Sequence, residues 1–357
     1  MTVLLIQVKN RLKKIFLKVD LIIQDLTLVC LCKNASTAPK VPNMNDEGKS
    51  KALRKENKMK RESSHNLGMC LCIAIVVFLY FCTAQTLRPQ PDISNNEEMQ
   101  SKAVGSVTNI RMGEMTWPDI QSAIEQGYTA VVVAVGSTEQ HGPHLPTMTD
   151  TRIGDELAHR VAMKLGHTFQ AITITVGCSK HHLSFPGTIS LRDETLRMII
   201  FDYIDSLIRG GFNRIVFLPS HGGNFPIVQA TLKEAQIAHP GIEIIGVTDV
   251  TKLLDCMNAA SAEFGINANE SGAHAGESET SIMMALEKNL VIKDRFAPDY
   301  VGLTGEKELK IIFEQGMTAL TKNGVLGDPR KASADKGEIY LNRLTEFLIQ
   351  EIKKQSH

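Results

Sequence analysis

The stretch TAVVVAV (residues 129–135) leaves the chain little choice of fold. Seven consecutive residues carry no charge and five of them are β-branched, so an extended backbone would present apolar side chains on both faces. Such a strand has to be covered on both sides, which suits the interior of a parallel sheet between two layers of helices. Three more runs have the same character: AITITV (residues 171–176), RIVFLP (residues 214–219) and IEIIGV (residues 242–247). Between them lie the helical periods DTRIGDELAHRVAMKLG, DETLRMIIFDYIDSLIRGG and NFPIVQATLKEAQIAH. The second is the clearest, with Leu196, Ile199, Ile200, Tyr203, Ile204, Leu207 and Ile208 on one stripe and Gly210 and Gly211 as its stop. This alternation predicts one doubly wound α/β domain over residues 105–357, its mostly parallel sheet flanked by helices on both faces.

The formal charge of the whole chain is zero, but it divides unevenly. Residues 1–104 hold 16 Lys and Arg against 9 Asp and Glu, and the remainder holds 23 against 30. An acidic domain lacks the basic footprint of a nucleic-acid binder, so no nucleic-acid partner is expected. Only two of the seven cysteines, Cys178 and Cys256, fall in the domain, too few for a disulfide framework. Its stability must come from an apolar core.

Upstream, LGMCLCIAIVVFLYFCTA (residues 67–84) runs for 18 residues without a charge and follows the basic stretch KSKALRKENKMKR. That order reads as a signal anchor or a cleaved signal peptide, with residues 1–66 a basic, disordered region and residues 85–104 a polar linker. It predicts a membrane-tethered or secreted protein. A start of translation at Met59, or absence of the segment from the mature protein, would leave the domain cytoplasmic.

In doubly wound sheets ligands bind beyond the carboxyl ends of the strands. The polar residues of this chain gather there, in GSTEQHGPHLPTMTD (residues 136–150), GCSKHHLSFPGTISL (residues 177–191), SHGGN (residues 220–224) and SGAHAGESETS (residues 271–281). Glu139 and His141 are two residues apart and point the same way in extended backbone. Asp150 follows at a helix start, and His221 arrives from another strand end, before two glycines that permit close backbone approach. A Glu/His/Asp/His set suits Zn²⁺, Mn²⁺ or Fe²⁺. Asp150 could bridge two such ions about 3.5–4 Å apart. His144, His159, His167, His181 and His239 lack a partner at matching spacing and read as structural or solvated. Cys178 reads as a small core residue.

Six segments, in this order, carry a resemblance: MTWPDIQSAIEQG, VGSTEQHGPHLPTMTD, HHLSFPGTISL, SHGGN, HAGESETS and GVLGDPRKASADKGE. Together, from about Met115 to the C-terminus, they resemble the creatininase family of metal-dependent amidohydrolases. The resemblance implies one or two divalent metal ions per chain. Glu139 would ligate the first ion, His141 the second, Asp150 both, and His221 would complete the first site. His274 falls on the family's catalytic histidine and His182 on its substrate loop. In creatinine amidohydrolase the second metal takes a Glu two residues after the strand-end His, where this chain has Gly223. Glu277 is therefore the expected replacement, as a ligand or a catalytic-site group, while Glu279 reads as an acid favoured at a helix N-terminus. Substrate contacts are expected from His182, Gly187, Thr188, Gly223 and Asn224.

The same resemblance implies hydrolysis of a non-peptide C–N bond, cyclic or open-chain, in a small-molecule amide by a metal-activated water. The competing readings are creatinine amidohydrolase itself, a deformylase or short-peptide hydrolase, or a non-catalytic, membrane-tethered binding module. The tryptophans that wall the creatinine pocket have no counterpart here, since the one Trp is Trp117, far upstream. A homo-oligomer, a hexamer by resemblance, is expected.

Overall fold

The computed structural model describes residues 107–356. The segments assigned above to residues 1–66, 67–84 and 85–104 lie outside the described residues. Helix α1 (Trp117–Glu125) leads into β1 (Ala130–Val135), α2 (Thr149–Leu165), β2 (Thr168–Gln170), α3 (Asp193–Arg209), β3 (Arg214–Pro219), α4 (Phe225–Ala238) and β4 (Glu243–Gly246). Then come α5 (Val250–Ala262), α6 (Ala268–Ser271), α7 (Glu277–Leu286), α8 (Glu306–Gln315) and α9 (Ala334–Gln355).

The four strands are all parallel, in the order β2-β1-β3-β4. Ala130 pairs with Arg214 and Val135 with Pro219 along the central ladder. Val131, Val132, Val133 and Val135 are completely buried, as a strand apolar on both faces requires. Each contributes roughly 1.5–3 kcal/mol of apolar burial. The chain leaves β1 toward one edge and β3 toward the other. Right-handed crossovers then put α2 on one face and α3 and α4 on the opposite face. Helix α9 packs on α2, and α4 packs on β3 and β4. The expected α/β architecture is the one found, and β1 and β3 meet at its topological switch point.

The second strand is shorter and earlier than the run AITITV suggests. The ladder to β1 ends at Gln170. Beyond it Thr173 turns its hydroxyl onto Asp155 Oδ1 of α2 at 2.7 Å, and Ile172 stands 63% exposed. A side-chain hydrogen bond to a neighbouring helix has replaced regular pairing, though Ile174 N still reaches Ala134 O at 3.0 Å.

Helices α7 and α9 approach so closely that a β-carbon on Gly337 would collide with the carbonyl oxygen of Ser281. Gly337→Ala should lower stability by about 1–3 kcal/mol through overpacking, measured as a shift in the urea midpoint.

After α7 the chain makes an excursion that carries α8 and returns at Val325. It has a small apolar core of its own, built on Ile312, Met317 and Leu326 with Phe185, Tyr300 and Leu320 packed against it. Asp299 Oδ2 ties its two ends together by accepting from Thr321 Oγ1, Lys322 N and Asn323 N. Among the described residues no helix is long and apolar enough to cross a membrane.

Candidate metal centre and active site

The loop after β1, the first turn of α2, the end of β3 and the start of α7 converge at the switch point. Asp150 sits in the first turn of α2 and is almost fully buried, as are Glu139, His141, His221 and His274. The Asp150 carboxylate reaches in two directions. Its Oδ1 lies 3.2 Å from His141 Nε2 and its Oδ2 lies 3.3 Å from His221 Nδ1. Glu139 Oε1 lies 3.2 Å from His221 Nδ1, 3.4 Å from His182 Nε2 and 3.7 Å from His274 Nδ1.

These short distances conceal two unmet acceptors. Neither Glu139 Oε1 nor Asp150 Oδ2 receives a hydrogen bond, although both are shut off from solvent. A buried anionic oxygen without a partner is costly. A cation in the space between the imidazoles would satisfy both. Three overlapping sets of ligand atoms lie within 4.8 Å of one another: Glu139, Asp150 and His221; His141, Asp150 and Glu279; and Glu139, His141 and His274. The donors are imidazole nitrogens and carboxylate oxygens, with no thiolate, which fits Zn²⁺, Mn²⁺ or Fe²⁺ chemically.

Charge coupling supports the same reading. Burial opposes the charged form of His141, but the carboxylates of Asp150, Glu279 and Glu139 outweigh it and lift its pKa to about 10. His221 is likewise raised despite burial, through Glu139 and Asp150. Burial works against the Asp150 anion, yet the two histidines hold its carboxyl well below the usual range. Without metal, protons on His141 and His221 balance the buried carboxylates. A divalent ion would displace them, so uptake should release protons and weaken as pH falls.

His274 differs. Burial and the neighbouring His141 push its pKa well below the ordinary value, leaving it neutral. Its Nε2 lies 2.8 Å from the Gln140 carbonyl, which fixes the proton on that nitrogen and leaves the Nδ1 lone pair facing Glu139. The Gln140 side-chain amide then donates to His182 Nδ1 at 2.9 Å.

Glu277 is not at this site. Its buried carboxylate lies 2.7 Å from Lys336 Nζ and accepts from Ser281 Oγ at 2.9 Å and from Tyr340 Oη at 3.0 Å. The carboxylate that reaches the cluster is Glu279, with Oε2 3.9 Å from His141 Nε2 and accepting from Ala275 N at 2.6 Å. Burial is the main reason its pKa rises to about 7, with Asp150 and Glu139 adding to it against the pull of His141.

The expected substrate contacts divide. His182 lines the cleft above Glu139. Gly187 and Thr188 do not; Gly187 is exposed, and Thr188 Oγ1 accepts from Gln140 N at 3.2 Å and so shapes the loop. Asn224 is consumed as a staple, donating to Val135 O and Gly136 O while accepting from Cys178 N. Gly223 has no room for a side chain, because a β-carbon would strike the Cys178 carbonyl. A glutamate there would need the neighbouring loop to move.

Most of the cleft lining beyond Glu139, His182, His221 and His274 was not legible as such. His181 lines the cleft, as do Leu309, Ile312 and Phe313 of α8. Nothing in the spacing of α8 relates it to the strand ends, and of the twin histidines the resemblance assigns only His182 to the substrate loop, while His181 reads as structural or solvated. Both turn inward.

His144, expected to be structural, is buried with Nε2 2.9 Å from Thr280 Oγ1 and Nδ1 unpartnered. Burial, with His141 nearby, lowers its pKa to about 4. The unfolded chain therefore takes up the proton first as pH falls. Stability from this residue is whole above about pH 6.5 and drains away toward pH 4, by up to about 3 kcal/mol. The melting temperature of the metal-free protein should fall through that window, and His144→Gln should flatten the fall.

The creatinine amidohydrolase family model matches residues 113–352, two thirds of the chain. The chain belongs to the creatininase family. A mycofactocin precursor peptide peptidase from Mycobacterium ulcerans is 30% identical over 244 residues, covering 65% of this chain and 88% of that protein. Creatinine amidohydrolase from Pseudomonas putida is 25% identical over 259 residues, covering 69% and 97%. A solved manganese creatininase superposes with a TM-score of 0.59 at 23% identity, over 69% of this chain and 98% of that one. With the buried Glu/His/Asp cluster in place, this creatininase-family chain is a metal-dependent amidohydrolase, a hydrolase of C–N bonds.

Proposed function

We propose that the chain hydrolyses a non-peptide amide C–N bond, cyclic or open-chain, in a small molecule, with one or two ions of Zn²⁺, Mn²⁺ or Fe²⁺. The observation that carries this is the pair of orphaned oxygens, Glu139 Oε1 and Asp150 Oδ2, facing three ready-made ligand sets. Glu139, Asp150 and His221 would hold one ion, and His141, Asp150 and Glu279 a second. A divalent ion bound there lowers the pKa of water toward about 7 and polarises a carbonyl.

The protein's own groups supply the rest. His274 Nδ1, neutral and aimed at Glu139, accepts a proton from the attacking water. An imidazole whose pKa is depressed by burial holds that proton weakly, and so passes it to the departing nitrogen. Gln140 keeps His274 and His182 in register through its carbonyl and its side-chain amide. The cleft is narrow, about 70 Å³, which favours a small substrate. A homo-oligomer, and membrane or secretory placement through residues 67–84, belong to the same proposal and rest on the resemblance and on the N-terminal sequence.

The test is metal analysis of the purified chain followed by an amide panel containing cyclic amides, creatinine, formamides and short peptides. Peptides are included because the mycobacterial relative is named a peptidase. Turnover of at least one non-peptide amide is expected, and His274→Ala should lose about 10²–10⁴ in kcat while keeping its metal. Less than about half an equivalent of metal, or turnover of peptides alone, would sink the reading.

A further inference from the structure

The cleft has two unlike walls. Its floor is Glu139, His182, His221 and His274, and its roof is Leu309, Ile312 and Phe313 of α8 with Met317 and Leu326 behind them. His181 stands at the seam. Its ring stacks on His221 at 5.5 Å with only 12° between the planes, and Phe313 leans against it at 4.7 Å. His181 is 7% exposed, yet among the described residues neither ring nitrogen has a hydrogen-bond partner, and Nδ1 is sealed from solvent as well. Phe313 is the reverse case, a large apolar ring left 40% exposed at the mouth of a polar site.

Each feature is unfavourable alone. An unpartnered buried imidazole costs free energy, and an exposed phenyl gains nothing from water. The loss is recovered if a ligand brings an apolar, flat group under Phe313 and a hydrogen-bonding atom to His181. The excursion that carries α8 is tied at its base by Asp299 and has its own small core, so the roof is a preformed wall.

We propose that His181 and Phe313 form a specificity subsite, selecting amides in which a planar apolar group carrying one hydrogen-bonding atom flanks the scissile bond. This rests on the metal-centre reading of the same cleft. Neither residue is a metal ligand or a proton carrier here; both act on which substrate binds.

The probes are hydroxamates, which chelate the metal without being turned over. Binding of acetohydroxamic, benzohydroxamic and isonicotinohydroxamic acids to the metal-loaded full chain would be measured by calorimetry. The phenyl compound should bind at least tenfold tighter than the methyl one, and Phe313→Ala should remove most of that preference at unchanged metal content. Phe313→Leu should restore part of it, since bulk returns without the ring. His181→Phe, which keeps the ring and removes its nitrogens, should weaken the pyridyl compound while sparing the phenyl one. Equal affinity for methyl and phenyl compounds, or an unchanged preference in Phe313→Ala, overturns the subsite alone. Failure of all three to bind the metal-loaded chain overturns the metal-centre reading together with it.

Discussion

Asp150→Ala should cost the protein its metal and its turnover in one step. The carboxylate lies 3.2 Å from His141 and 3.3 Å from His221, and it belongs to two of the three ligand sets. Its loss should exceed the roughly 10–100-fold in affinity or activity that removing an outer-shell partner costs. Metal stoichiometry by elemental analysis and kcat on the best amide of the panel are the measurements. Asp150→Asn separates charge from shape, because the amide keeps the volume but cannot bridge two cations as an anion. In the metal-free protein both changes should also lower the raised pKa of His141, to which Asp150 is the largest favourable contributor. Full metal content with normal turnover in Asp150→Ala would remove this residue from the centre.

Glu277→Gln should do the opposite, destabilising the fold while leaving the metal in place. The Glu277 side chain is fully buried and Lys336, on α9, keeps only 14% exposure. Ser281 and the completely buried Tyr340 complete the carboxylate's partners. Removing one member of such a pair strands the other charge, which costs about 3–5 kcal/mol. The urea midpoint should drop accordingly for Glu277→Gln and for Lys336→Met. The double variant should fall short of the sum, because the stranded charge disappears. Metal bound per folded molecule should be unchanged in all three. A Glu277→Gln protein of normal stability that has lost its metal would return this carboxylate to the active site and displace Glu279.

The contrast between these two acids shows where local sequence stops being informative. They lie two residues apart in α7, about 200° around a helix of 3.6 residues per turn. One must face the metal cluster and the other must face away. Which does which depends on α9, whose Lys336 and Tyr340 come from about 60 residues further along and absorb Glu277. Gly337 lets α9 come that close. No pattern within HAGESETS encodes that arrival. Asn224 and Thr188 fail for a related reason. Each has a polar group suited to a substrate, but the neighbouring strand end and loop use it first.

What the sequence determined by itself was whatever depends on short-range periodicity. The apolar run at residues 129–135 required a covered central strand, and the alternation of runs required helices on both faces. The period-two spacing of Glu139 and His141 put their side chains on one side of the loop, and both join one ligand set in the structure. Parallel strands that leave β1 and β3 toward opposite edges made the strand ends the place to look, and Asp150, His221 and His274 are there. Tertiary structure decided the choice of Glu279 over Glu277, the inward turn of His181 and the apolar roof of α8. Each of these depends on groups far apart in the chain that meet only after the sheet and its helices have packed, and buried charge goes to whichever partner packing brings near.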